Sequence, residues 1–185
     1  MIKIIEPILE RDFEAAHKLV EENLYKHDLA VEDLKQASSG ELLIAKDGDK
    51  VIGLLNMRRP GKIFKELEDK YFHLKELKPF KSETGYIALV TVDKKYQGQG
   101  IGKLLVERAI EIQKEWDVSA IIVHASKSSP GNGSEKLFAN FGFVPVHLHK
   151  QAWHDYSVEK GPEGFWCNFC GNPCKCDELE MVKYL

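Results

Sequence analysis

Apolar residues recur along this chain at strand-like and helix-like spacings, and these spacings predict its secondary structure. Strands are predicted at 2–5, 42–45, 51–57, 87–92, 120–123, 144–148 and 181–185. Helices are predicted from Asp12 (as N-cap) to Leu24, over 31–37, over 101–116, and from Ser134 (as N-cap) to Gly142. Strands and helices alternate along the chain, which indicates a mixed α/β architecture.

Two connections and one helix carry further information. Asp47-Gly48-Asp49 joins two predicted strands and is a hairpin turn signal. The segment 60–83 is longer than a simple connection, and Ile63 and Leu67 are spaced as on a helix. We interpret this segment either as an insertion that helps form a ligand pocket or as a solvated excursion at the sheet edge. The helix over 101–116 has a continuous apolar stripe, Leu104 included, which predicts a buried face.

Length and composition bound the class of protein. With 185 residues, of which 43% are hydrophobic and 30% charged, the chain is expected to form one globular domain spanning 1–185. A net charge of −3 predicts no general attraction to nucleic acids or membranes. The sequence shows neither a secretory hydrophobic segment nor an apolar run long enough to span a bilayer, so a cytoplasmic protein is expected.

The most informative segment is 90–102, where a β-branched strand leads through a glycine-rich loop directly into a predicted helix. The first turn of a helix has backbone N–H groups without intrahelical partners, and the aligned peptide dipoles attract anions there. Glycine lets a phosphate group approach the backbone closely. The spacing of Gly98, Gly100 and Gly102 fits neither a P-loop nor a dinucleotide-binding loop. A different phosphate-bearing ligand is therefore predicted.

Gln97-x-x-Gly100-x-Gly102 is similar to the Q/R-x-x-G-x-G/A signature of the GNAT acyl-CoA N-acyltransferases. The predicted strand 87–92 resembles the fourth strand of that family, and 137–143 resembles the element at which its last helix ends. The resemblance implies an α+β (α/β) GNAT fold, a central mixed twisted sheet of about seven strands flanked by about four helices. It also implies transfer of an acetyl group from acetyl-CoA to an amine. The predicted strand 120–123 is expected to lie parallel to 87–92.

The resemblance implies a set of residues that contact coenzyme A. Backbone amides of the glycine-rich loop would bind the pyrophosphate, and a backbone amide at Val90 or Val92 would polarise the thioester carbonyl. Asn132 lies one residue after the position at which the family often has an asparagine, and Phe138 occupies its tyrosine position. The implied set is Val90, Val92, Gln97, Gly98, Gln99, Gly100, Ile101, Gly102, Lys103, Asn132 and Phe138.

Phe138 departs from the family because the tyrosine usually found there protonates the leaving thiolate. Three interpretations remain open. Another residue or water supplies the proton, the CoA thiol leaves without an acid, or the protein binds CoA without catalysis. For the general base, Glu83 lies just before the strand 87–92, and His124 lies at the end of the strand 120–123. An ordinary surface carboxylate and an ordinary strand-end histidine are the alternative interpretations of these two residues.

The acceptors of this family are small-molecule amines or amines of proteins and peptides, and the segment 60–83 is a candidate part of the acceptor pocket. No nucleic-acid or membrane partner is expected. The last predicted strand is compatible with a monomer and with a strand-exchanged homodimer, so the oligomeric state stays open.

The four cysteines of the chain are Cys167, Cys170, Cys174 and Cys176, all within the cysteine-rich loop 165–177. C-x-x-C followed by Gly171 resembles a zinc knuckle, and cysteines two residues apart in an extended segment present both thiols on the same side. Four thiolates suit a closed structural Zn²⁺ site, with an iron–sulfur cluster or free thiols as alternatives. His147, His149 and His154 are candidate replacements for one cysteine.

The same loop supports an interpretation of a different class, an interaction module. Phe165, Trp166 and Phe169 could contact a protein partner. Nucleic acid is a poor candidate partner, because Lys175 is surrounded by acidic residues such as Asp177 and a phosphate backbone needs a basic surface.

Overall fold

The computed structural model describes residues 2–7, 9–62, 71–73 and 81–185 of the chain. Its strands are β1 (Ile2–Ile5), β2 (Tyr25–Lys26), β3 (Leu42–Asp47), β4 (Lys50–Arg58), β5 (Thr84–Val92), β6 (Ala120–Ser126), β7 (Val144–His149), β8 (Trp166–Cys167) and β9 (Glu178–Tyr184). Its α-helices are α1 (Glu10–Asn23), α2 (Val31–Lys35), α3 (Ile101–Glu115), α4 (Gly133–Ala139) and α5 (His154–Gly164). Within these described ranges, no helix has both the length and the apolar character needed to cross a membrane.

Seven strands form one mixed sheet in the order β1–β3–β4–β5–β6–β9–β7, and β2 pairs with β8 in a separate small sheet. Neighbouring strands of the main sheet are antiparallel except β5 and β6, which are parallel as predicted. The predicted fold class is confirmed, because a mixed sheet of seven strands is flanked by helices. Each strand expected from the sequence is present.

The two faces of the sheet bury different helices. α3 and α4 cover one face, where Leu105 and Ala109 of α3 are buried in one cluster with the strand residues Ile52 and Val123. The stripe predicted on α3 is confirmed, except that Leu104 is 42% exposed. α1 and α2 pack on the opposite face, over β3 and β4. Each fully buried aliphatic side chain contributes about 1.5–3 kcal/mol, so these two clusters hold the helices on the sheet.

β5 and β6 pair over only part of their length. The parallel register runs from Thr84 opposite Ala120 to Ile87 opposite Val123 and stops there, although both strands continue. A register shift in the pairing of β4 with β5 lies at the same point. Beyond Ile87, the edge of β5 that faces β6 has no strand partner among the described residues. The backbone groups of that edge are therefore available to a ligand.

Several local features differ from the sequence-based predictions. Asp12 is not an N-cap, because α1 begins at Glu10, and the buried Asp12 carboxylate instead accepts a hydrogen bond of 2.8 Å from Lys46 on β3. Ser134 lies inside α4, whose N-cap is Asn132. α5, β2 and β8 have no counterpart among the predicted elements, since each is too short or too interrupted to show an apolar period.

The predicted insertion 60–83 is described only in part, and Ile63 and Leu67 lie outside the described residues. In the described part, Phe72 is buried and packs edge-on against Tyr86 of β5, with ring centroids 5.9 Å apart. This segment therefore contacts the sheet on the face opposite α3.

Glu41 joins the start of β3 to the chain that follows β4. Its carboxylate is buried and accepts hydrogen bonds from Lys62 Nζ at 2.9 Å, Ser38 N at 2.8 Å and Arg59 N at 3.1 Å. Burial alone would raise the pKa of Glu41, but these donors together outweigh burial and lower the pKa. The carboxylate is therefore charged at neutral pH and contributes stability through its hydrogen bonds.

We expect the Glu41→Gln variant to lose about 2 kcal/mol of unfolding free energy at pH 7, because bonds to a charged acceptor are replaced by weaker ones. The contribution of Glu41 is complete above its ordinary pKa of 4.5 and is lost as the pH falls through the lower pKa of the folded state. Urea unfolding at pH 7 and at about pH 3 measures both effects. The exposed Glu107→Gln change is the control, and an equal loss at both pH values would contradict this account.

Candidate active site

The loop between β5 and α3 is held in shape by its own polar side chains. Asp93, which follows β5, accepts hydrogen bonds from Lys50 Nζ at 2.7 Å and from Lys95 N at 2.9 Å. These two donors lower the pKa of Asp93, so this anchor is charged at neutral pH. Gln97 Nε2 donates to the carbonyl oxygen of Val92 at 2.9 Å and so closes the turn.

Three glycines shape the entry into α3. Gly98 and Gly100 adopt left-handed conformations, with φ of +77° and +82°. A Cβ atom added to either would meet no other atom within 4 Å, so the backbone conformation, and not crowding, favours glycine. At Gly102 an added Cβ would lie 3.5 Å from Leu137 of α4. This is an ordinary van der Waals distance, so crowding does not require glycine at this third position.

The loop presents unbonded backbone donors to solvent. In the described part of the chain, no acceptor is hydrogen-bonded to the backbone N–H groups of 98–103, and residues 97–100 are exposed. α3 has 15 residues, so its dipole adds positive potential at this end. The turn that brings these donors together consists of Gln97, Gly98, Gln99, Gly100, Ile101, Gly102 and Lys103. Its geometry and charge suit a phosphate group.

The other residues predicted to contact CoA lie in two different environments. Val90 and Val92 lie on β5 beyond the last residue that pairs with β6. Asn132 is exposed immediately before α4. Phe138 is only 2% exposed and packs edge-on against Phe143, with ring centroids 5.3 Å apart. The residue at the tyrosine position of the family is thus part of the apolar core.

Two side chains meet on the face opposite α3, at the point where β5 and β6 part. Tyr86 Oη lies 2.9 Å from His124 Nδ1, and Val123, which precedes His124, is the last residue of β6 that pairs with β5. Burial, assisted by the nearby His149, lowers the pKa of His124 to about 3. Burial raises the pKa of Tyr86. Near pH 7 the imidazole is therefore neutral and the phenol keeps its proton.

Glu83, the other candidate base, lies at the opposite end of β5. It immediately precedes β5, and its carboxylate accepts a hydrogen bond of 2.6 Å from Ser119 Oγ. The paired stretch from Thr84 to Ile87 separates Glu83 from the opening between the strands. The geometry brings His124 to that opening and keeps Glu83 away from it.

Four residues near His124 are absent from the set predicted as catalytic. Glu180 of β9 is buried, and its Oε2 lies 2.8 Å from His149 Nε2 and 4.0 Å from His124 Nε2. His73 N donates to the same oxygen at 2.8 Å. Glu178, also on β9, is buried as well, and burial raises its pKa to about 8. The face of the sheet around His124 is therefore rich in titratable groups.

A sequence signal for these residues exists. Glu178-Leu179-Glu180 and His147-Leu148-His149 alternate ionisable and apolar residues, and residues two apart on a strand share one face. The pattern does not reveal the order of the strands. In the structure β9 lies between β6 and β7, and this order brings the two pairs of residues together.

A cavity lies against His124 on this face. Its lining residues are Tyr71, His124, His149, Ala152, Trp153 and Glu178. The rings of Tyr71 and Trp153 stack with centroids 5.1 Å apart, so the segment 60–83 and the turn before α5 meet beside the cavity. The predicted participation of this segment in a pocket thus has a structural basis at Tyr71.

The four cysteine sulfurs converge on one point. The Cys170–Cys176 distance is 3.3 Å, the Cys167–Cys176 and Cys170–Cys174 distances are 3.6 Å, and all four sulfurs lie within 4.8 Å of one another. A tetrahedral zinc ion with bonds of about 2.3 Å separates its sulfur ligands by about 3.8 Å. Contacts with the thiols of Cys174 and Cys176 lower the pKa of Cys167, which favours the thiolate that binds metal.

The turn between the first two cysteines has the shape expected from its sequence. Gly171 has a left-handed φ of +81°, and its N–H donates to the carbonyl oxygen of Cys167 at 2.8 Å. Among the described residues, His147, His149 and His154 do not belong to the cysteine group. The residues that the structure gathers are the four cysteines alone.

The cysteine loop is attached to the end of α1. Asn168 N donates to the carbonyl oxygen of Leu24 at 2.9 Å, and Asn168 Nδ2 donates to that of Glu21 at 2.6 Å. Tyr25 stacks on Phe165 with ring centroids 5.8 Å apart, and β2 pairs with β8. The loop therefore fastens the connection between α1 and α2.

The glycine-rich loop, the parted strands and the Tyr86–His124 pair all lie along β5 or directly after it. Residues 3–143 match the Acetyltransferase (GNAT) family. The chain therefore belongs to the GNAT acetyltransferase family. The matched range contains the glycine-rich loop and both Tyr86 and His124, and it ends before the cysteine loop.

Individual relatives agree with this family. N-alpha-acetyltransferase 30 of Xenopus laevis is 38% identical over 60 residues, which are 32% of this chain and 21% of that protein. The chain thus aligns with about a fifth of that relative's length. The crystal structure of the NatC complex bound to Gag peptide and CoA has a TM-score of 0.69 at 16% identity and covers 100% of this chain and 98% of that one. The crystal structure of a GNAT family acetyltransferase from Elizabethkingia anophelis with acetyl-CoA bound has a TM-score of 0.59 at 21% identity. The match covers 100% of this chain and 98% of that one.

Proposed function

We propose that this protein transfers the acetyl group of acetyl-CoA to a primary amine. The observation that carries the proposal is a single opening between β5 and β6, with unbonded amides of 98–103 at one side and a neutral His124 at the other. Membership of the GNAT acetyltransferase family supports it, as does a related structure that contains acetyl-CoA.

The residues of the opening suit each part of this reaction. The amides of 98–103 would bind the pyrophosphate, and the pantetheine arm would follow the open edge of β5 past Val90 and Val92. A backbone N–H of that edge would donate to the thioester carbonyl oxygen, which becomes negative as the amine nitrogen attacks the carbonyl carbon. His124 would accept the proton that the nitrogen loses and pass it on to water, because an imidazole with a pKa of about 3 does not hold a proton near pH 7; Tyr86 is hydrogen-bonded to its Nδ1. The C–S bond then breaks, and the thiolate of CoA leaves.

Phe138 supplies no proton to that thiolate. A thiol with an ordinary pKa of about 8.5 is a good leaving group near neutral pH, so water can complete its protonation after the C–S bond breaks. This account explains how an active enzyme tolerates an apolar core residue at this position.

We favour the α-amine of a peptide as the acceptor. The name of the relative N-alpha-acetyltransferase 30 and the peptide in the NatC complex structure support this choice. The chain itself contributes Glu180 beside His124, and its Oε1, which makes no hydrogen bond among the described residues, could accept one from an incoming amine. Small-molecule amines are the alternative acceptors, and the experiment must distinguish them from peptide α-amines.

The test is release of CoA thiol from acetyl-CoA in the presence of three kinds of acceptor. These are peptides with a free α-amine, the same peptides with a blocked N-terminus and an internal lysine, and the polyamine spermidine. Turnover of the first kind alone supports the proposal. Turnover of spermidine alone would show that the acceptor is a small-molecule amine and not the α-amine of a peptide. Binding of CoA without turnover of any amine would make this protein a CoA-binding protein instead of an enzyme.

The His124→Gln variant is expected to have a kcat lower by about 10²–10⁴-fold, which is the usual contribution of a positioned base. Its affinity for CoA should equal that of the parent, because His124 lies on the face opposite α3. The exposed His154→Gln change is the matched control. An unchanged kcat in the His124 variant would remove this residue from the mechanism.

We also propose that Cys167, Cys170, Cys174 and Cys176 hold a structural Zn²⁺ ion. The sulfur separations support a tetrahedral site, and four thiolates leave no open position for a substrate. The ion would contribute stability by joining the end of α1 to α5, since Cys174 N also donates to Ser157 Oγ on α5 at 2.7 Å. Elemental analysis distinguishes zinc from the iron of an iron–sulfur cluster.

A further inference from the structure

A second group of side chains with metal-binding chemistry lies on the face opposite α3, separate from the cysteines. His124, His149 and Glu180 each place one ligand atom within 4.8 Å of the other two. Their side chains are 8%, 11% and 0% exposed. They come from three adjacent strands, because β9 lies between β6 and β7 and Glu180 is directly opposite His124 in the register. The sheet itself therefore builds the cluster.

Two polar atoms of this group are buried and lack a hydrogen-bond partner. In the described residues, neither Glu180 Oε1 nor His124 Nε2 makes a hydrogen bond. Glu180 Oε2, in contrast, is bonded to His149 Nε2 and to His73 N. An unpaired buried polar atom costs about 1–3 kcal/mol, and more if it is charged. A single cation bound by His124 Nε2 and by both carboxylate oxygens of Glu180 would satisfy both unpaired atoms.

We propose that His124, His149 and Glu180 form a second Zn²⁺ site, and that zinc bound there inhibits acetyl transfer. Two imidazoles and one carboxylate are a known ligand set for zinc, with a fourth position left open to water. Tetrahedral zinc bonds of about 2.1 Å place two ligand atoms about 3.4 Å apart. The 4.0 Å between His124 Nε2 and Glu180 Oε2 and the 2.8 Å between His149 Nε2 and Glu180 Oε2 lie on either side of this value, so small side-chain shifts bring the three ligands to it.

The hydrogen-bond pattern is compatible with metal binding. When the hydrogen of neutral His149 resides on Nδ1, the lone pair of Nε2 is free to bind zinc, and the ion replaces the hydrogen bond to Glu180. In the same tautomer of His124, Nδ1–H donates to Tyr86 Oη at 2.9 Å and orients the ring. A cavity lined by both histidines adjoins the cluster, with about 10 Å³ of space, roughly that of one water molecule.

The inhibition rests on the proposed function, whereas the binding of zinc does not. Nε2 of His124 has one lone pair, so it cannot accept a proton from an amine while it binds zinc. Occupation of the site would also place a positive charge where the acceptor ammonium must enter.

The first experiment counts zinc ions per chain by equilibrium dialysis of the full chain, after its metal has been removed with a chelator. We expect the His149→Gln and Glu180→Gln variants each to bind one zinc fewer than the parent. The His154→Gln variant, which changes an exposed histidine outside both groups, should bind the same number as the parent. Equal numbers in the parent and in the folded His149 variant would overturn the proposal. Circular dichroism and CoA affinity show whether each variant is folded.

A cobalt titration of the unmodified protein tests the site without any substitution. Co²⁺ bound by thiolates absorbs strongly in the near ultraviolet, whereas Co²⁺ bound by imidazole and carboxylate gives only weak visible bands. A second equivalent that adds only visible bands supports the proposal. If the protein is saturated after one equivalent of Co²⁺, and that equivalent shows the near-ultraviolet absorption of thiolate ligands, the proposal is contradicted.

The final experiment measures acetyl transfer as zinc fills the second site. Activity of the parent should fall in proportion to occupancy and return when the zinc is chelated, while the activity of the His149→Gln variant, whatever its zinc-free value, should not fall as zinc is added. If a second zinc binds the parent without lowering its activity, the inhibitory role is wrong, although the metal-binding part of the proposal still holds. If no amine is acetylated, the proposed function fails. The numbers of zinc and cobalt ions bound per chain still show whether the second metal site exists.

Discussion

The Gly100→Glu variant is expected to show no measurable binding of acetyl-CoA or CoA. Gly100 is the N-cap of α3, has a φ of +82° and has no atom within 4 Å of an added Cβ. A glutamate side chain therefore enters the space in front of the unbonded amides, occupies it and repels the pyrophosphate. The left-handed conformation adds about 1–2 kcal/mol of backbone strain to any residue other than glycine.

Calorimetric titration with CoA measures this effect, and a second glycine provides the matched control. Gly48 also has a left-handed φ, of +59°, and has open space around an added Cβ, but it lies in the turn between β3 and β4. The Gly48→Glu variant carries the same charge and a similar strain, and it should bind CoA like the parent. Binding of CoA by the Gly100 variant at parental strength would show that this loop is not the pyrophosphate site.

Removal of metal from the cysteine loop is expected to lower the melting temperature by at least about 10 °C, because structural zinc contributes folding free energy directly. The attachment of α1 through Asn168 and Tyr25 would weaken at the same time. Affinity for CoA, measured well below the new melting temperature, should stay near that of the parent. The reason is that no cysteine lies near the turn 97–103 among the described contacts.

Two comparisons separate this effect from that of the second proposed site. The Cys174→Ser variant should melt at the low temperature with or without chelator, whereas the His149→Gln variant should still be destabilised by the chelator. Restoring zinc to the parent should restore its melting temperature. An unchanged melting temperature after complete removal of zinc would contradict the structural role of the cysteine site.

The parts of the site that are continuous in the chain are those that the sequence predicts best. The glycine-rich loop, its entry into α3 and the gathering of the four cysteines each depend on residues within a dozen positions, so local spacing carries the information. The left-handed φ values of Gly100 and Gly171 follow from the same local chemistry. The fold class also follows, because apolar periods locate every strand of the main sheet.

The acceptor side could not be predicted in the same way. Glu180 contacts His124 and His73 only because β9 lies between β6 and β7 and the segment 60–83 folds back on the sheet. Asp12 shows the same limit on a smaller scale. An acidic residue near a helix start suggests an N-cap, but the distant Lys46 takes its carboxylate into the interior instead. In both cases a tertiary contact decides the role of a residue whose local sequence suggests another.

The position of β9 has a consequence for the order in which the molecule folds. β3 and β4 form a hairpin of residues close in sequence, whereas β9 pairs with β6 across the longest intervening segment in the main sheet, with Ala120 opposite Tyr184. Contacts of large sequence separation close slowly, because the loop entropy must be overcome before the contact stabilises the chain. The β3–β4 hairpin can therefore form early, and the pairing of β9 with β6 forms late. Because that late pairing places Glu180 opposite His124, the group of His124, His149 and Glu180 is complete only when the last strand has joined the sheet.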